Sequence, residues 1–457
     1  MGYDLKLETE YEKGCILNSR ILWFFSNAYL TLRDEALLEN AKHAYRFLRD
    51  CCLDREQGGV YWSVTYDGKP KDETKHTYNQ AFAIYALSSY YDASQDQEAL
   101  QIAFDLQDVV EEKCTDEYGY LEAFDRYFRL ASNEKLSENG VMAEKTMNTL
   151  LHVFEAYTEL YRVMRHGSAA NREAIPQPQR GLPSSDGIHA PGKGYSSPEG
   201  IHVLGEGHSS PDGIYVLGEG HPSPDGISAS HTGYSPAGGK GRLHYTEKRL
   251  EFMLDLFTQK VYNPVKGRQE VFFDRTWNSL IDLYSYGHDI ETSWLLDRGL
   301  AELDHPLYTQ QIAPITAEIA ENIYNRAYVD HSVLNEAENG VDDTKRVWWI
   351  QAEAIVGFLN AWEKKTRALQ QNQADGKPSS QESFASGADA EKYLEAAMNI
   401  WDYICSWFVD PREGSEWFEN VRADHTPMEL PIVQPWKCPY HNGRMCMEVI
   451  RRLGAGV

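Results

Sequence analysis

Two short segments in the second half of the chain each place a histidine beside aromatic and charged residues at the predicted start of a helix. Residues 287–294 contain His288 and Glu291, and residues 436–444 contain His441. Histidine takes up and releases protons near neutral pH. Two histidines that face one pocket can remove a proton from one side of a carbon atom and return one to the other side. The two segments therefore predict an enzyme that inverts a carbon centre.

The first segment also has a regular helical spacing. Glu291 follows His288 by three residues, so both share one helix face, and the carboxylate could orient or charge-stabilise the imidazole. Trp294 continues that face and could stack on a sugar ring. The alternative is purely structural, because acidic residues near a helix N-terminus favour the helix dipole. This segment alone does not decide between the two interpretations.

Polar and aromatic residues also interrupt the core-like faces of other predicted helices. They are Arg20, Tyr78, Asn148, His152, Trp349 and Glu353. A buried polar group is costly unless it has a partner, and each of these residues taken singly is more often a satisfied core residue than a ligand contact. Taken together they fall on alternate helices, which would direct all of them into one funnel.

The spacing of apolar residues predicts an all-α fold. Eleven segments have apolar residues three and four positions apart, and short glycine-aromatic segments such as 58–62 and 117–121 separate the helix pairs. A repeated unit of two helices and a hairpin must bury its apolar face on its neighbours. We therefore predict an (α/α)6 barrel, a toroid with short β-hairpins. Twelve helices complete such a ring, and we predict that the first helix is missing.

One long segment departs from this pattern. Residues 168–242 are rich in Gly, Pro and Ser, and a five-residue motif recurs there at 197–201, 210–214 and 223–227. Such a composition cannot bury enough apolar surface to offset its ordering entropy. We interpret it as a disordered insertion between two parts of one catalytic domain, 1–167 and 243–457. A calcium- or carbohydrate-binding repeat is the alternative. Residues 370–387 are predicted to be a second, shorter loop.

Composition narrows the possible partners. The formal charge of −25 disfavours nucleic acid and anionic membrane surfaces. No apolar run approaches the ~20 residues of a membrane span, and the N-terminus has no apolar signal region. The seven cysteines are interpreted as reduced thiols, which predicts a cytoplasmic protein. No clustered metal-ligand spacing, phosphate loop or dinucleotide fingerprint is present, so we expect neither a metal nor a cofactor.

Five longer stretches, 19–26, 75–82, 286–291, 346–353 and 436–444, carry a family resemblance. In this order they resemble the N-acylglucosamine 2-epimerase superfamily, and the resemblance covers nearly the whole chain outside the two loops. It implies an (α/α)6 barrel. It also implies cofactor-free inversion of C2 of the reducing-end glucose in β-1,4-linked disaccharides, which converts cellobiose to glucosylmannose and lactose to epilactose through a cis-enediolate.

The resemblance also implies roles for the catalytic residues. His288 and His441 match the paired acid and base. Arg20 and His152 match residues that contact the reacting end of the sugar. Glu291 matches a carboxylate that supports a histidine or binds a hydroxyl.

The remaining matched residues are implied to bind the substrate. Trp349 and Trp436 match aromatic walls for the two sugar rings, and Glu353, like Glu291, matches a carboxylate that supports a histidine or binds a hydroxyl. Tyr78 and Asn148 match positions that line the pocket. The expected partner is a disaccharide, bound by a monomer or weak oligomer that uses neither nucleic acid nor membrane.

Three alternatives remain open from the sequence. A 2-epimerase for N-acetylglucosamine or a free monosaccharide would share the histidines but would have a closed pocket. A glycoside hydrolase on the same fold would use two carboxylates, for which Glu291 and Glu353 are candidates. An inactive carbohydrate-binding protein would keep the resemblance without turnover.

Overall fold

Eleven α-helices account for most of the residues that the computed structural model describes, which are 1–136, 140–167, 239–374 and 381–454. The helices are α1 (Cys15–Leu32), α2 (Glu35–Phe47), α3 (Thr77–Ser94), α4 (Gln97–Lys113), α5 (Met147–His166), α6 (Gly239–Leu256), α7 (Tyr286–Leu303), α8 (Pro306–Arg326), α9 (Trp348–Ala374), α10 (Gln381–Tyr403) and α11 (His441–Leu453). The predicted number of helices is confirmed for the described part of the chain.

The helices form two concentric layers. In the inner layer α1 packs on α3, α3 on α5, α5 on α7, α7 on α9, α9 on α11, and α11 on α1, so the inner ring closes. Each outer helix packs against the inner helix that precedes it along the chain: α2 on α1, α4 on α3, α6 on α5, α8 on α7 and α10 on α9. The predicted α/α toroid is confirmed, with six inner and five outer helices among the described residues.

Two-residue links turn the chain from an inner helix to its outer partner. They are residues 33–34, 95–96 and 304–305, and the first residue of each has a φ between 53° and 62°. This left-handed residue ends the inner helix. In two of the links the next residue, Asp34 or Asp96, accepts a hydrogen bond at 2.9 Å from a backbone N–H of the outer helix. Each pair is therefore antiparallel with little intervening chain.

Short strands occupy the opposite end of the ring, where outer helices lead into inner ones. The strands are β1 (Lys13–Gly14), β2 (Ser63–Val64), β3 (Pro70–Asp72), β4 (Lys75–His76), β5 (Thr115–Asp116), β6 (Gly119–Tyr120), β7 (Ala123–Phe124), β8 (Lys145–Thr146), β9 (Tyr262–Asn263), β10 (Arg268–Gln269), β11 (Phe272–Phe273), β12 (Leu283–Ser285), β13 (Tyr328–Val329), β14 (Ser332–Val333), β15 (Glu336–Glu338), β16 (Val341–Asp343), β17 (Arg346–Val347) and β18 (Asn420–Val421).

Five of these strands run directly into inner helices and are held from the side. Strands β1, β4, β8, β12 and β17 lead into α1, α3, α5, α7 and α9 without a break. Each pairs antiparallel with a strand that follows the next outer helix, namely β2, β7, β11, β15 and β18. The pairing fixes where each inner helix begins, and so fixes the side chains of its first turns.

The two predicted loops have different outcomes. The expectation of a loop over 370–387 is wrong for most of its length, because α9 continues to Ala374 and α10 begins at Gln381. Residues 375–380 lie outside the described residues. So do residues 168–238 of the insertion predicted over 168–242. Helix α6 begins at Gly239, so residues 239–242 at the end of the predicted insertion are helical. The division into two barrel parts and an insertion remains a prediction.

The structure also bears on the cysteines and on membrane insertion. All seven cysteines are free thiols. Among the described residues no helix combines the length and the apolar character needed to cross a bilayer.

Candidate active site

A cavity of about 310 Å³ lies at the end of the ring where the inner helices begin. Every inner helix contributes at least one wall residue from its first two turns. Nine of the eleven predicted site residues line this cavity: Arg20, Tyr78, Asn148, His152, His288, Glu291, Trp349, Trp436 and His441. The structure therefore brings together side chains that lie more than 400 residues apart in the chain, as the alternation along the sequence predicts.

The two histidines of the predicted pair contact the same indole ring. The ring centroid of Trp349 lies 4.8 Å from that of His288 and 5.4 Å from that of His441. The two imidazoles come from α7 and α11, which are not neighbours in the inner ring. Both therefore reach one reaction space from separate elements of the ring.

His441 is held by a carboxylate. Its Nδ1 lies 2.8 Å from Oε1 of Glu353. An ionised carboxylate only accepts hydrogen bonds, so it places a proton on Nδ1 and leaves the Nε2 lone pair available. Burial, followed by the positive charges of Arg444 and Arg20, holds the pKa of His441 well below its usual range. The neutral form of His441 is thus favoured, with Nε2 available to take up a proton.

His288 is held by a hydroxyl group. Its Nδ1 lies 2.7 Å from Oγ of Ser285, the residue that precedes α7. The expectation that Glu291 orients this imidazole is wrong, because the Glu291 carboxylate accepts a hydrogen bond from Arg444 instead. Burial, with a smaller effect of His152, lowers the pKa of His288 to about 3.

Arg444 is the central residue that the sequence did not single out. It is 1% exposed. One terminal nitrogen donates to Glu155 and, at 2.6 Å, to the hydroxyl oxygen of Tyr440. The other donates to Glu291 and lies 2.7 Å from Glu353. A single buried guanidinium therefore fixes three carboxylates, each of which would be costly to bury without a cation.

Two of these carboxyl groups, Glu155 and Glu291, differ in their electrostatic surroundings. Burial alone would raise the pKa of Glu155, but the charge of Arg444 and the hydrogen bond from His152 lower it to about 2. For Glu291, burial and the nearby Glu353 outweigh Arg444 and raise the pKa to about 7. Oε2 of Glu291 has no hydrogen-bond partner among the described residues. Glu291 can therefore carry a proton at neutral pH next to the cavity.

Two predicted substrate contacts lie behind the wall instead of on it. Trp294 and Glu353 are both 0% exposed and do not line the cavity. The indole N–H of Trp294 donates to Oε2 of Glu353 at 3.0 Å, and its ring packs under the guanidinium of Arg444 at 4.9 Å. Neither residue forms part of the cavity lining, so the structure does not place them as substrate contacts; Glu353 instead has the other role implied for it, the support of a histidine. Trp294 holds the Glu353 carboxylate, and Glu353 holds His441.

Arg20 and His152 lie on the cavity wall with separate supports. The Arg20 guanidinium donates to the hydroxyl oxygen of Tyr78 at 2.9 Å and to the carbonyl oxygen of Trp436 at 3.0 Å. Nδ1 of His152 lies 2.8 Å from Glu155, which places it in the same carboxylate cluster as Arg444. A cation and a hydrogen-bonding imidazole therefore line the same cavity as His288 and His441.

One cluster has a donor set that suits a divalent metal. Ligand atoms of Glu291, Glu353 and His441 lie within 4.8 Å of one another. The guanidinium of Arg444 contacts both carboxylates of this set and already compensates their charge. A metal ion would have to compete with that fixed cation, which gives a physical reason for our prediction of a metal-free site.

Glu122 is a further buried carboxyl group of the cavity wall that the sequence did not reveal. It is 2% exposed, and its two oxygens accept hydrogen bonds from the hydroxyls of Thr146 at 3.0 Å and Thr149 at 2.7 Å. No cation contacts it among the described residues. Burial raises its pKa to about 7. The signal in the sequence is weak, since a lone glutamate after a hairpin has no helical spacing.

Replacing Glu122 by glutamine is expected to change how stability depends on pH. Between the pKa of the unfolded chain, near 4.5, and about 7, the folded state binds more protons at Glu122. The free energy of unfolding therefore falls as pH rises through this window, and Glu122→Gln removes that fall. The free energy of unfolding of the variant minus that of the wild type should therefore rise by about 3 kcal/mol at most between pH 5 and pH 8. Chemical denaturation at both pH values measures it.

An exposed residue serves as the control for this prediction. Glu134 lies in a short 3-10 turn on the surface. Glu134→Gln should have the same free energy of unfolding as the wild type at both pH values. An equal difference from the wild type at pH 5 and pH 8 in Glu122→Gln would contradict the assignment.

Comparisons with known proteins agree with this geometry. The family model for N-acylglucosamine 2-epimerase (GlcNAc 2-epimerase) matches residues 4–159. Over 451 residues the chain is 42% identical to a cellobiose 2-epimerase of Eubacterium cellulosolvens, and the match covers 99% of this chain and 91% of that protein.

Solved structures show the same fold over nearly the full length. A sugar epimerase from a ruminal bacterium is 40% identical, with a TM-score of 0.75 and coverage of 100% of this chain and 92% of that chain. A cellobiose 2-epimerase from Bacillus thermoamylovorans is 37% identical, with a TM-score of 0.73 and coverage of 99% and 91%. The chain therefore belongs to the N-acylglucosamine 2-epimerase superfamily as a homologue of its cellobiose 2-epimerases, and it is an epimerase.

Proposed function

We propose that the protein inverts C2 of the reducing-end glucose in β-1,4-linked disaccharides, converting cellobiose to glucosylmannose and lactose to epilactose. The observation that carries this proposal is the placement of His288 and His441 against one indole, Trp349, in a cavity formed by all six inner helices. The activity of the similar cellobiose 2-epimerases supports the choice of substrate.

The reaction begins with the open-chain sugar, whose aldehyde acidifies the C2 hydrogen. One histidine takes this proton on Nε2, and the C–H bonding electrons form a cis-enediolate with negative charge on the former carbonyl oxygen. The C2–C3 bond then rotates, and the other histidine, which has first taken up a proton from solvent on Nε2, delivers that proton to the opposite face of C2. The first histidine afterwards releases the abstracted proton to solvent, so both rings return to their starting charge. Each positioned acid or base contributes on the order of 10²–10⁴ in rate. Atoms and charges balance without an added cofactor.

Positive groups around the cavity suit the charged intermediate. Arg20 lies on the wall, and its Nε has no hydrogen-bond partner among the described residues. All six inner helices begin at this end, so their positive dipole ends face the cavity. Donors and dipoles that are fixed before charge develops stabilise a transition state most effectively. We assign Arg20 and His152 to the oxygen that becomes negative.

Two tryptophans offer faces for two sugar rings. Trp349 lies beside the histidines, and Trp436 lies on the wall near Tyr78, with ring centroids 6.4 Å apart. A free monosaccharide or N-acetylglucosamine would use only the first of these faces. Comparing initial rates of C2 inversion on cellobiose, glucose and N-acetylglucosamine tests the choice. Faster inversion of N-acetylglucosamine than of cellobiose would contradict the disaccharide assignment.

Shortening Trp436 to alanine is expected to weaken disaccharide binding. The stacking face for the second sugar is lost, which should raise KM for cellobiose by roughly ten-fold, with a smaller change in kcat. Trp401→Ala is the matched control, because Trp401 is 44% exposed on the outer helix α10. Steady-state kinetics on cellobiose would measure both. An unchanged KM in Trp436→Ala would remove Trp436 from the binding site.

The arrangement of carboxylates argues against a hydrolase. A glycosidase needs two carboxyl groups on either side of the scissile bond, about 5–9.5 Å apart. Glu291 and Glu353 instead contact the same guanidinium, and Glu353 lies behind the cavity wall. Assaying cellobiose for released glucose discriminates the two reactions. A protein that binds cellobiose but neither cleaves nor inverts it would correspond to the inactive alternative.

We further propose that the protein works in the cytoplasm as a monomer or weak oligomer. Its seven free thiols support a reducing compartment. Size-exclusion chromatography with light scattering over a range of concentrations tests the oligomeric state, and a stable dimer at micromolar concentration would contradict it.

A further inference from the structure

Helix α7 begins with a serine whose hydroxyl does not cap the helix. Ser285 is the N-cap residue, where a serine side chain usually accepts a hydrogen bond from a backbone N–H of the first turn. Ser285 makes no such bond, and its Oγ instead lies 2.7 Å from Nδ1 of His288. Thr146, the N-cap residue of α5, shows the usual arrangement and accepts from the backbone N–H of Thr149 at 3.0 Å. The hydroxyl of Ser285 is therefore engaged with the imidazole instead of the helix.

The two proposed bases have unlike supports. His441 is held by the carboxylate of Glu353, and His288 is held by the hydroxyl of Ser285. A hydroxyl can donate or accept, so it can hold Nδ1 in either protonation state. Both supports leave the Nε2 side of the ring for the cavity. Resting on the proposed function, we propose that Ser285 is the positioning residue of His288, in the role that Glu353 has for His441.

This role has a consequence that differs between the two epimers. One epimer gives its C2 hydrogen to His288, and the other gives it to His441, because the two hydrogens point to opposite faces of C2. When His288 takes the proton on Nε2, the imidazolium donates from Nδ1 to Oγ of Ser285. Without the hydroxyl, Nδ1 is left without this partner in a buried setting, which disfavours the charged ring. Removing the hydroxyl should therefore lower the rate of C2 hydrogen removal for only one of the two epimers.

The test measures exchange of the C2 hydrogen with heavy water, starting separately from cellobiose and from glucosylmannose. In Ser285→Ala the initial exchange rate of one epimer should fall by about ten-fold, and that of the other should stay within about two-fold of the wild type. Ser285→Thr keeps a hydroxyl and should restore the lost rate. Ser293→Ala is the control, because Ser293 is a buried serine of the same helix whose hydroxyl, among the described residues, donates to the carbonyl oxygen of Ile290 alone.

Two results would overturn the inference. Unchanged exchange of both epimers in Ser285→Ala would show that the hydroxyl is dispensable, and an equal fall for both would show a general structural role. If Ser285→Ala does not fold, Ser285→Cys, which replaces the hydroxyl with a weakly bonding thiol, is judged by the same ratio of rates. A wild-type protein that exchanges neither epimer would contradict the proposed function instead, so the two failures are distinguishable.

Discussion

Replacing His441 by asparagine is expected to lower kcat for epimerisation by about 10²–10⁴-fold, because one of the two proton-transferring groups is lost. The remaining imidazole, His288, still lies beside Trp349 and can still remove a hydrogen from one face of C2. One epimer should therefore continue to exchange its C2 hydrogen with solvent without being converted. Initial-rate assays combined with NMR detection of C2 deuteration measure both effects.

A histidine outside the cavity provides the control. His425 stacks on Trp407 at a centroid distance of 4.7 Å and lies 3.2 Å from the hydroxyl oxygen of Tyr403. His425→Asn should retain wild-type turnover. If His441→Asn also turns over at the wild-type rate, the two-histidine mechanism fails, whatever the effect of other variants.

Replacing Arg444 by methionine is expected to destabilise the fold as well as abolish activity. The variant removes the cation that contacts Glu155, Glu291 and Glu353, all buried. Removing one partner of a buried ionic cluster costs about 3–5 kcal/mol, which for a chain of this length corresponds to a fall in Tm of about 3–5 °C. The carboxyl groups can offset part of this cost by taking up protons, so the loss should be smaller at pH 5 than at pH 8. Thermal unfolding at both pH values measures it.

An arginine on the same helix serves as the matched control. Arg451 pairs with Glu448 one turn away, near the end of α11, and its side chain is 40% exposed. Arg451→Met should change stability by about 1 kcal/mol or less. Equal stability of Arg444→Met and the wild type would contradict the account of a single cation that holds the three carboxylates.

The ring and the composition of the cavity wall follow from patterns visible in the sequence. The spacing of apolar residues predicts where the helices lie. Polar residues on alternate helices, such as His152 and Glu353, indicate which helices have first turns that meet at the site. In an α/α ring every second helix is an inner one, so alternation along the chain becomes convergence in space. The extent of α9 and α10 could not be predicted this way, because their Gln- and Ser-rich segment near 370–387 lacks an apolar period.

Pairing over long sequence separations could not be predicted. Arg444 lies inside a recognised motif, yet its partners Glu155 and Glu291 are 289 and 153 residues away. Local spacing contains no information about such contacts. Without Arg444, the burial of Trp294 behind the wall could not be foreseen either, since its helical spacing is equally compatible with a stacking platform.

Two histidine–glutamate pairs have the same spacing along the sequence, but only one of them forms a hydrogen bond in the structure. His288 and Glu291 are three residues apart, as are His152 and Glu155. The second pair forms a hydrogen bond at 2.8 Å, whereas Glu291 turns to Arg444 and His288 bonds to Ser285. Arg444 contacts both carboxylates, so the spacing permits an imidazole–carboxylate pair without deciding whether it forms.

The most direct test is incubation of the wild-type protein with cellobiose in heavy water, followed by NMR of the products. Proton removal by one histidine and return by the other predicts glucosylmannose that carries deuterium at C2, with no glucose released. Glucosylmannose that retains the original hydrogen at C2, or cleavage to glucose, would contradict the two-histidine epimerase.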